Sequence, residues 1–144
     1  MNVLLDTSVW SLALRRPSRK LNPAERVLVA ELAELINEGR ARIIGIVRQE
    51  LLSGIKSQAQ FAQLQKNLRS FPDEPLTTQD YESAAMAGNR CRAQGIAVAL
   101  PDMLVCAVSA LRGWPIFTSD SDFRRYATVL PIKLHQPRLS LEIG

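Results

Sequence analysis

Short apolar runs alternate along this chain with longer stretches in which apolar residues return at helical spacing, the pattern of strands alternating with amphipathic helices. Asn2-Val3-Leu4-Leu5 stops at Asp6-Thr7-Ser8, which predicts a buried strand running into a helix cap. Asn22-Pro23-Ala24-Glu25 supplies an N-cap, a first-turn proline and a capping-box glutamate in the order a helix start requires. The helix predicted there carries Leu28, Leu32, Leu35 and Ile36 on one stripe and ends at Gly39. Residues 41–46 predict a second strand. Helical spacing resumes from Val47 through Leu51 and Leu52, pauses at Gly54, and returns at Phe61, Leu64 and Leu68 before a break at 71–75. Thr78 is placed to cap a helix reaching Gly95, with Ala84, Ala85 and Gly88 small enough for close helix packing. Leu100-Pro101-Asp102 opens a helix that is apolar almost all round over 103–111, the mark of a central, buried element, and Gly113 stops it. Residues 114–118 and 127–134 are the last predicted strands, parted by the polar turn Ser119-Asp120-Ser121-Asp122. This order implies an α/β fold, a mostly parallel central sheet with helices on both faces and right-handed crossovers.

Composition changes the picture little. The 144 residues, 47% hydrophobic and 22% charged, are expected to form one domain, 1–144, without a repeat or linker. A chain of this size buries roughly two-thirds of its unfolded surface, so its core needs neither a metal nor a disulfide, and disorder, coiled coil and collagen are excluded. The residues before Asp6 lack the segments of a signal peptide, and the longest apolar stretch is about half a membrane span, so a cytoplasmic protein with no membrane role is expected. Cys91 and Cys106 fit neither CxxC nor a zinc spacing, and with His135 the single histidine they are expected to be buried thiols in a reducing compartment. His135 itself is expected on the surface.

The carboxylates carry the chemistry. Ligands of a parallel α/β sheet collect at the carboxyl ends of its strands. Asp6 ends the first predicted strand, Asp102 lies in the first turn of the buried helix, Asp120 and Asp122 follow the strand at 114–118, and Glu50 lies about one turn into the helix after the second strand. Singly, each has a plain reading: Asp6 and Asp102 as helix caps, Asp120 and Asp122 as turn formers, Glu50 as a solvated helix residue. Together they converge on one sheet edge, where several carboxylates stay ionised only if a cation neutralises them. All-oxygen ligation suits Mg²⁺ or Mn²⁺ rather than zinc. A phosphodiester is the matching substrate, because a carboxylate-held metal activates water and stabilises the charge of an in-line displacement. The net charge is +4, and with five acids set against a cation 18 basic groups face nine acidic ones, a surface that attracts a phosphate backbone. The basic residues cluster at Arg15-Arg16, Arg19-Lys20, Arg40 and Arg42, Arg90 and Arg92, and Arg124-Arg125.

Val3-Leu4-Leu5-Asp6-Thr7-Ser8, Arg48-Gln49-Glu50-Leu51-Leu52-Ser53-Gly54, Leu100-Pro101-Asp102 and Phe117-Thr118-Ser119-Asp120-Ser121-Asp122-Phe123 resemble the ordered acidic motifs of PIN-domain nucleases. In size and order the chain is similar to the VapC-type toxins of prokaryotic type II toxin–antitoxin pairs, over essentially its whole length. The resemblance implies a single PIN-like domain and a metal-dependent endoribonuclease, usually a homodimer, held inactive by a small antitoxin whose C-terminal segment crosses the active site. It implies Asp6 and Asp102 as core ligands of Mg²⁺ (or Mn²⁺), Glu50 and Asp120 as completing the acidic quartet, and Asp122 as a fifth acid. The hydroxyls of Ser8 and Thr118 match positions that orient the carboxylates or a water. Pro101 departs from the small or polar residue of many relatives, at a first-turn position that tolerates proline. Trp10, Leu12 and Leu14 flank the site and either line a groove for the antitoxin or belong to the core or a dimer contact.

Other chemistries lack their residues. Gly54-Ile55-Lys56-Ser57 has Gln49 where a phosphate loop needs its upstream glycine, and there is no GxGxxG or GxSxG. A phospho-aspartate phosphatase needs an acid two residues after Asp6, where Ser8 stands. The alternative function is a non-catalytic RNA-binding or protein-interaction module whose carboxylates are caps, although 6% aromatic residues leave no stacking platform.

Overall fold

The structure, a computed structural model, describes residues 1–138. Three short parallel strands, β1 (Val3–Leu5), β2 (Ala41–Arg42) and β3 (Ile116–Phe117), form a sheet in the order β2-β1-β3. Val3 pairs with Ala41 and Leu4 with Arg42 on one side, Leu4 with Ile116 and Leu5 with Phe117 on the other. The three residues of β1 are fully buried, which is why it reads as an unbroken apolar run rather than an alternation. Around the sheet stand α1 (Thr7–Leu14), α2 (Pro23–Asn37), α3 (Gly45–Leu52), α4 (Gln58–Leu68), α5 (Thr78–Ala93), α6 (Leu100–Arg112) and the short α7 (Asp122–Tyr126). The result is an α/β fold built on one parallel sheet.

α6 is the central helix its composition predicts. Every residue from Met103 to Ser109 is buried, and its main neighbour is α5. Gly88 of α5 makes the approach close, since a Cβ there would stand 3.5 Å from Met103 Cγ and 3.3 Å from Arg92 Nη1. Arg112, at the end of α6, ties the two helices together. Its Nη1 and Nη2 donate to the carboxylate of Asp80 at 2.7 and 2.9 Å, its Nε donates to Glu74 at 2.5 Å, and its guanidinium lies 5.9 Å from the centre of the Trp114 ring. Asp80 is also the capping-box residue of α5, accepting from the Thr77 backbone at 2.8 Å. The hydrogen bonds from Arg112 hold its carboxyl down at about 2, against the pull of burial.

Gly113 adopts φ +71° to close α6. Gly113→Ala meets no steric obstacle beyond its own backbone, so it is expected to cost about 1–2 kcal/mol, the left-handed penalty of an L-residue, checked by urea denaturation.

Several boundaries differ from the sequence expectation. The second strand ends at Arg42 rather than residue 46, because Ile44 is already the N-cap of α3 and Ile43 makes only an isolated bridge to Asp73. The strand expected at 114–118 keeps two residues, and that expected at 127–134 reduces to a bridge at Leu134 opposite Ile116. Val129, Leu130 and Ile132 are packed onto the core as a turn, so their burial imitates a strand. The cap of α5 is Thr77, one residue before Thr78, because Asp80 answers it as the reciprocal capping partner. His135 is not a surface residue: its side chain is 11% exposed, its Nε2 lies 2.6 Å from Glu31 Oε2, and its ring meets Phe117 edge-on. Cys91 and Cys106 are buried free thiols, and Trp10 and Leu12 belong to the core. No helix among the described residues is long and apolar enough to cross a membrane.

Candidate active site

The loops at the carboxyl ends of β1 and β3 meet through hydroxyl groups. Asp6, 5% exposed, follows β1 and caps α1: its Oδ1 accepts from the Ser8 backbone at 3.2 Å and from Ser8 Oγ at 2.6 Å. Its Oδ2 accepts from Thr118 Oγ1 at 2.7 Å, across from the end of β3. Ser8 Oγ in turn accepts from the Ser119 backbone, and Thr118 Oγ1 from the Asp120 backbone, both at 2.9 Å. The two hydroxyls therefore tie the Asp120 loop to the end of β1.

Asp102, in the first turn of α6, does not cap its helix. The N-cap is Ala99, without a side-chain bond, and Asp102 Oδ2 instead accepts from the Tyr126 hydroxyl of α7 at 2.8 Å. Asp120 Oδ1 accepts from the Asp122 backbone at 2.9 Å, the turn-forming contact, while Asp122 pairs with Arg125. Carboxylate oxygens of Asp102, Asp120 and Asp122 lie within 4.8 Å of one another. Asp6 and Glu50 stand outside that trio. Asp6 lies beside it, close enough to feel the charges of Asp102 and Asp120, and Glu50 faces Asp102 electrostatically while its Oε1 accepts from Thr7 Oγ1 at 2.6 Å.

Electrostatics reflect this crowding. Burial lifts the Asp6 carboxyl to about 6, overcoming the Ser8 and Thr118 hydroxyls, with Asp102 and Asp120 adding repulsion. Burial also raises Asp102 despite Tyr126, and the charges of Asp120, Glu50 and Asp122 push the same way. Between the unfolded value of 3.8 and about 6 the folded protein holds the Asp6 proton more tightly than the unfolded chain, so stability falls as pH rises through that window. Urea denaturation in EDTA is expected to show a loss on the order of 2–3 kcal/mol between pH 4 and pH 7, much reduced in Asp6→Asn.

The trio fits a hard divalent cation. Asp102 Oδ1, Asp120 Oδ2 and Asp122 Oδ2 accept no hydrogen bond from the described residues, so each carboxylate keeps one oxygen to give. The donors are all oxygen. Cys106 is no competing soft ligand, because burial and the charge of Asp102 push its thiol well above its ordinary value and keep it protonated.

Residues 3–129 match the model of the PIN domain. The chain belongs to the PIN-domain family. Comparison with curated proteins finds no match. Among solved structures, FitAcB from Neisseria gonorrhoeae shares this PIN fold with a TM-score of 0.72 and 21% identity, over 94% of this chain and 97% of that one. VapBC2 from Rickettsia felis, bound to a DNA fragment from its promoter, gives 0.67 and 16% over 94% and 98%. VapBC-5 from Mycobacterium tuberculosis, a member of the VapBC family of toxin–antitoxin systems, gives 0.64 and 16% over 94% and 98%.

Tyr126 is the site residue that sequence reasoning missed. Phe123 and Tyr126 lie three apart, a helical spacing just after Asp122, and they form the buried face of α7. That spacing was the available signal.

Proposed function

We propose that this PIN domain is a Mg²⁺- or Mn²⁺-dependent endoribonuclease acting as the toxin of a toxin–antitoxin pair, cytoplasmic and homodimeric, with RNA as substrate and a small cognate antitoxin as partner. The observation that carries the chemistry is the trio Asp102, Asp120 and Asp122, each with an oxygen left over, at the carboxyl edge of a parallel sheet. In this reading Asp102, Asp120 and Asp122 hold the metal, while Asp6 and Glu50 supply further ligands directly or through water. A bound cation would lower the pKa of a coordinated water and neutralise charge on the phosphate undergoing displacement. Ser8 and Thr118 hold Asp6 and the Asp120 loop in place, and Tyr126 fixes which Asp102 oxygen faces inward. The toxin role is supported by the toxin–antitoxin complexes that share the fold. The exposed Met86 and Leu111 beside the α5–α6 cleft offer apolar surface for a second copy.

The test is cleavage of RNA and of single-stranded DNA of the same sequence by purified protein, in Mg²⁺, Mn²⁺ and EDTA. RNA cleavage that disappears in EDTA is expected, and binding of RNA without cleavage in either metal overturns the enzyme in favour of a binding module. Expression of the wild type without a partner is expected to arrest growth, while Asp6→Asn is tolerated. Equal growth of the two strains removes the toxin role.

A further inference from the structure

Beside Asp120 the structure has a cleft of about 230 Å³ that the acidic cluster does not account for. One wall is the Thr118–Ser121 loop with Arg124 of α7, and the other is Leu134, Gln136 and Pro137, closed by Leu28 of α2. The second wall lies beyond residues 3–129, the part matched to the PIN family. It is nevertheless held firmly. Glu31 is completely buried, and its carboxylate accepts from the Arg138 backbone at 3.3 Å and Arg138 Nε at 3.1 Å, with His135 Nε2 at 2.6 Å. Gln136 and Pro137 are thus bracketed by two residues anchored on one buried carboxylate, and a wall fixed in advance costs little ordering on binding.

The cleft offers hydrogen bonding that the protein itself does not use. Among the described residues, the side chains of Ser121, Arg124 and Gln136 make no hydrogen bond to protein, and Arg124 makes no ion pair, whereas neighbouring Arg125 is paired to Asp122. An unpaired guanidinium at the mouth selects an anionic occupant over a basic peptide. The space is below the usual range for whole small-molecule ligands and suits a single ring system. Leu28, Leu134 and Pro137 provide apolar contact, and an amide, donor and acceptor at once, is the group that reads a base edge.

We propose that this cleft is a nucleobase subsite for the RNA strand, in which Gln136 reads the base edge and Arg124 holds the adjoining phosphate, setting the neighbouring phosphodiester at Asp120. This rests on the ribonuclease reading above. The cleft thereby confers a base preference at one position next to the cut, and its Gln136 wall lies outside the residues matched to the family.

Two measurements separate failure of this proposal from failure of that reading. In EDTA, without catalysis, the four nucleoside monophosphates are titrated into ¹⁵N-labelled protein. One base is expected to shift the Gln136 side-chain amide and the Ser121 amide about tenfold more tightly than the least favoured one. Gln136→Ala is expected to level the four affinities, and Arg124→Gln to weaken all four alike. If no monophosphate moves these signals at millimolar concentration, the subsite is overturned and the cleft is left to a protein partner. In Mg²⁺, sequencing of cut RNA is expected to show a base preference at one position that Gln136→Ala relaxes. An unchanged cleavage pattern in Gln136→Ala overturns the subsite and leaves the nuclease intact. Gln136 and Arg124 are exposed, so both variants are expected to fold.

Discussion

Asp102→Asn is expected to lose more than about a hundredfold of Mg²⁺-dependent RNA cleavage, with its fold intact. Loss of an outer-shell partner of a metal ligand typically costs about 10–100-fold, and Asp102, proposed as a ligand itself, should exceed that. Tyr126→Phe removes only the hydroxyl that donates to Asp102 Oδ2 and is expected within that lower range, with more Mg²⁺ needed for half-maximal rate. Thermal melts give a second readout that needs no substrate. Without metal, Asp102 is repelled by Asp120, Glu50 and Asp122, so Asp102→Asn should melt higher in EDTA, by about 1 kcal/mol for partly solvated charges. At Mg²⁺ about tenfold above its dissociation constant, linkage adds roughly 1.4 kcal/mol to the wild type and much less to the variant. An Asp102→Asn protein that melts lower in EDTA, responds to Mg²⁺ as wild type does and cleaves RNA at the wild-type rate would return Asp102 to a purely structural role.

The second large effect is structural. Arg112→Met is expected to lose about 3–5 kcal/mol, because it strands the Asp80 carboxylate, 2% exposed, without the guanidinium that compensates its burial. Arg112→Lys keeps a charge but not the two-pronged contact at 2.7 and 2.9 Å, and should fall between. Asp80 has a folded pKa of about 2 against 3.8 unfolded, so its contribution is complete above about pH 4 and is lost as pH falls through about 2. That acid limb should be absent from Arg112→Met. Urea denaturation between pH 2 and pH 7 checks both, and a loss below about 1 kcal/mol at pH 7 would mean that water already screens the pair.

The sequence by itself determined the elements whose signals are local. β1 announces itself by three consecutive buried apolar residues stopped by Asp6, α2 by its Asn22-Pro23-Ala24-Glu25 start, and α6 by an apolar surface all round with Gly113 behind it. Each rests on hydrogen bonds or burial between residues close along the chain. The closeness of Asp102, Asp120 and Asp122 was likewise legible, because a parallel sheet brings the ends of its strands to one edge whatever the details between them.

What only the tertiary structure decided concerns residues whose partners are distant. It separated Asp102, Asp120 and Asp122, whose oxygens converge, from Asp6, which spends both oxygens on Ser8 and Thr118. Tyr126 reached Asp102 by a bond spanning 24 residues, and His135 and Arg138 reached Glu31 over more than 100. Residues 127–134 were apolar enough to be a strand, yet only Leu134 found a partner. The physical reason is common to all of these. Composition and periodicity report that a residue will be buried or that a carboxylate lies near an edge, but which atom accepts from which donor depends on the angles at which helices pack, and those are set by the whole core at once.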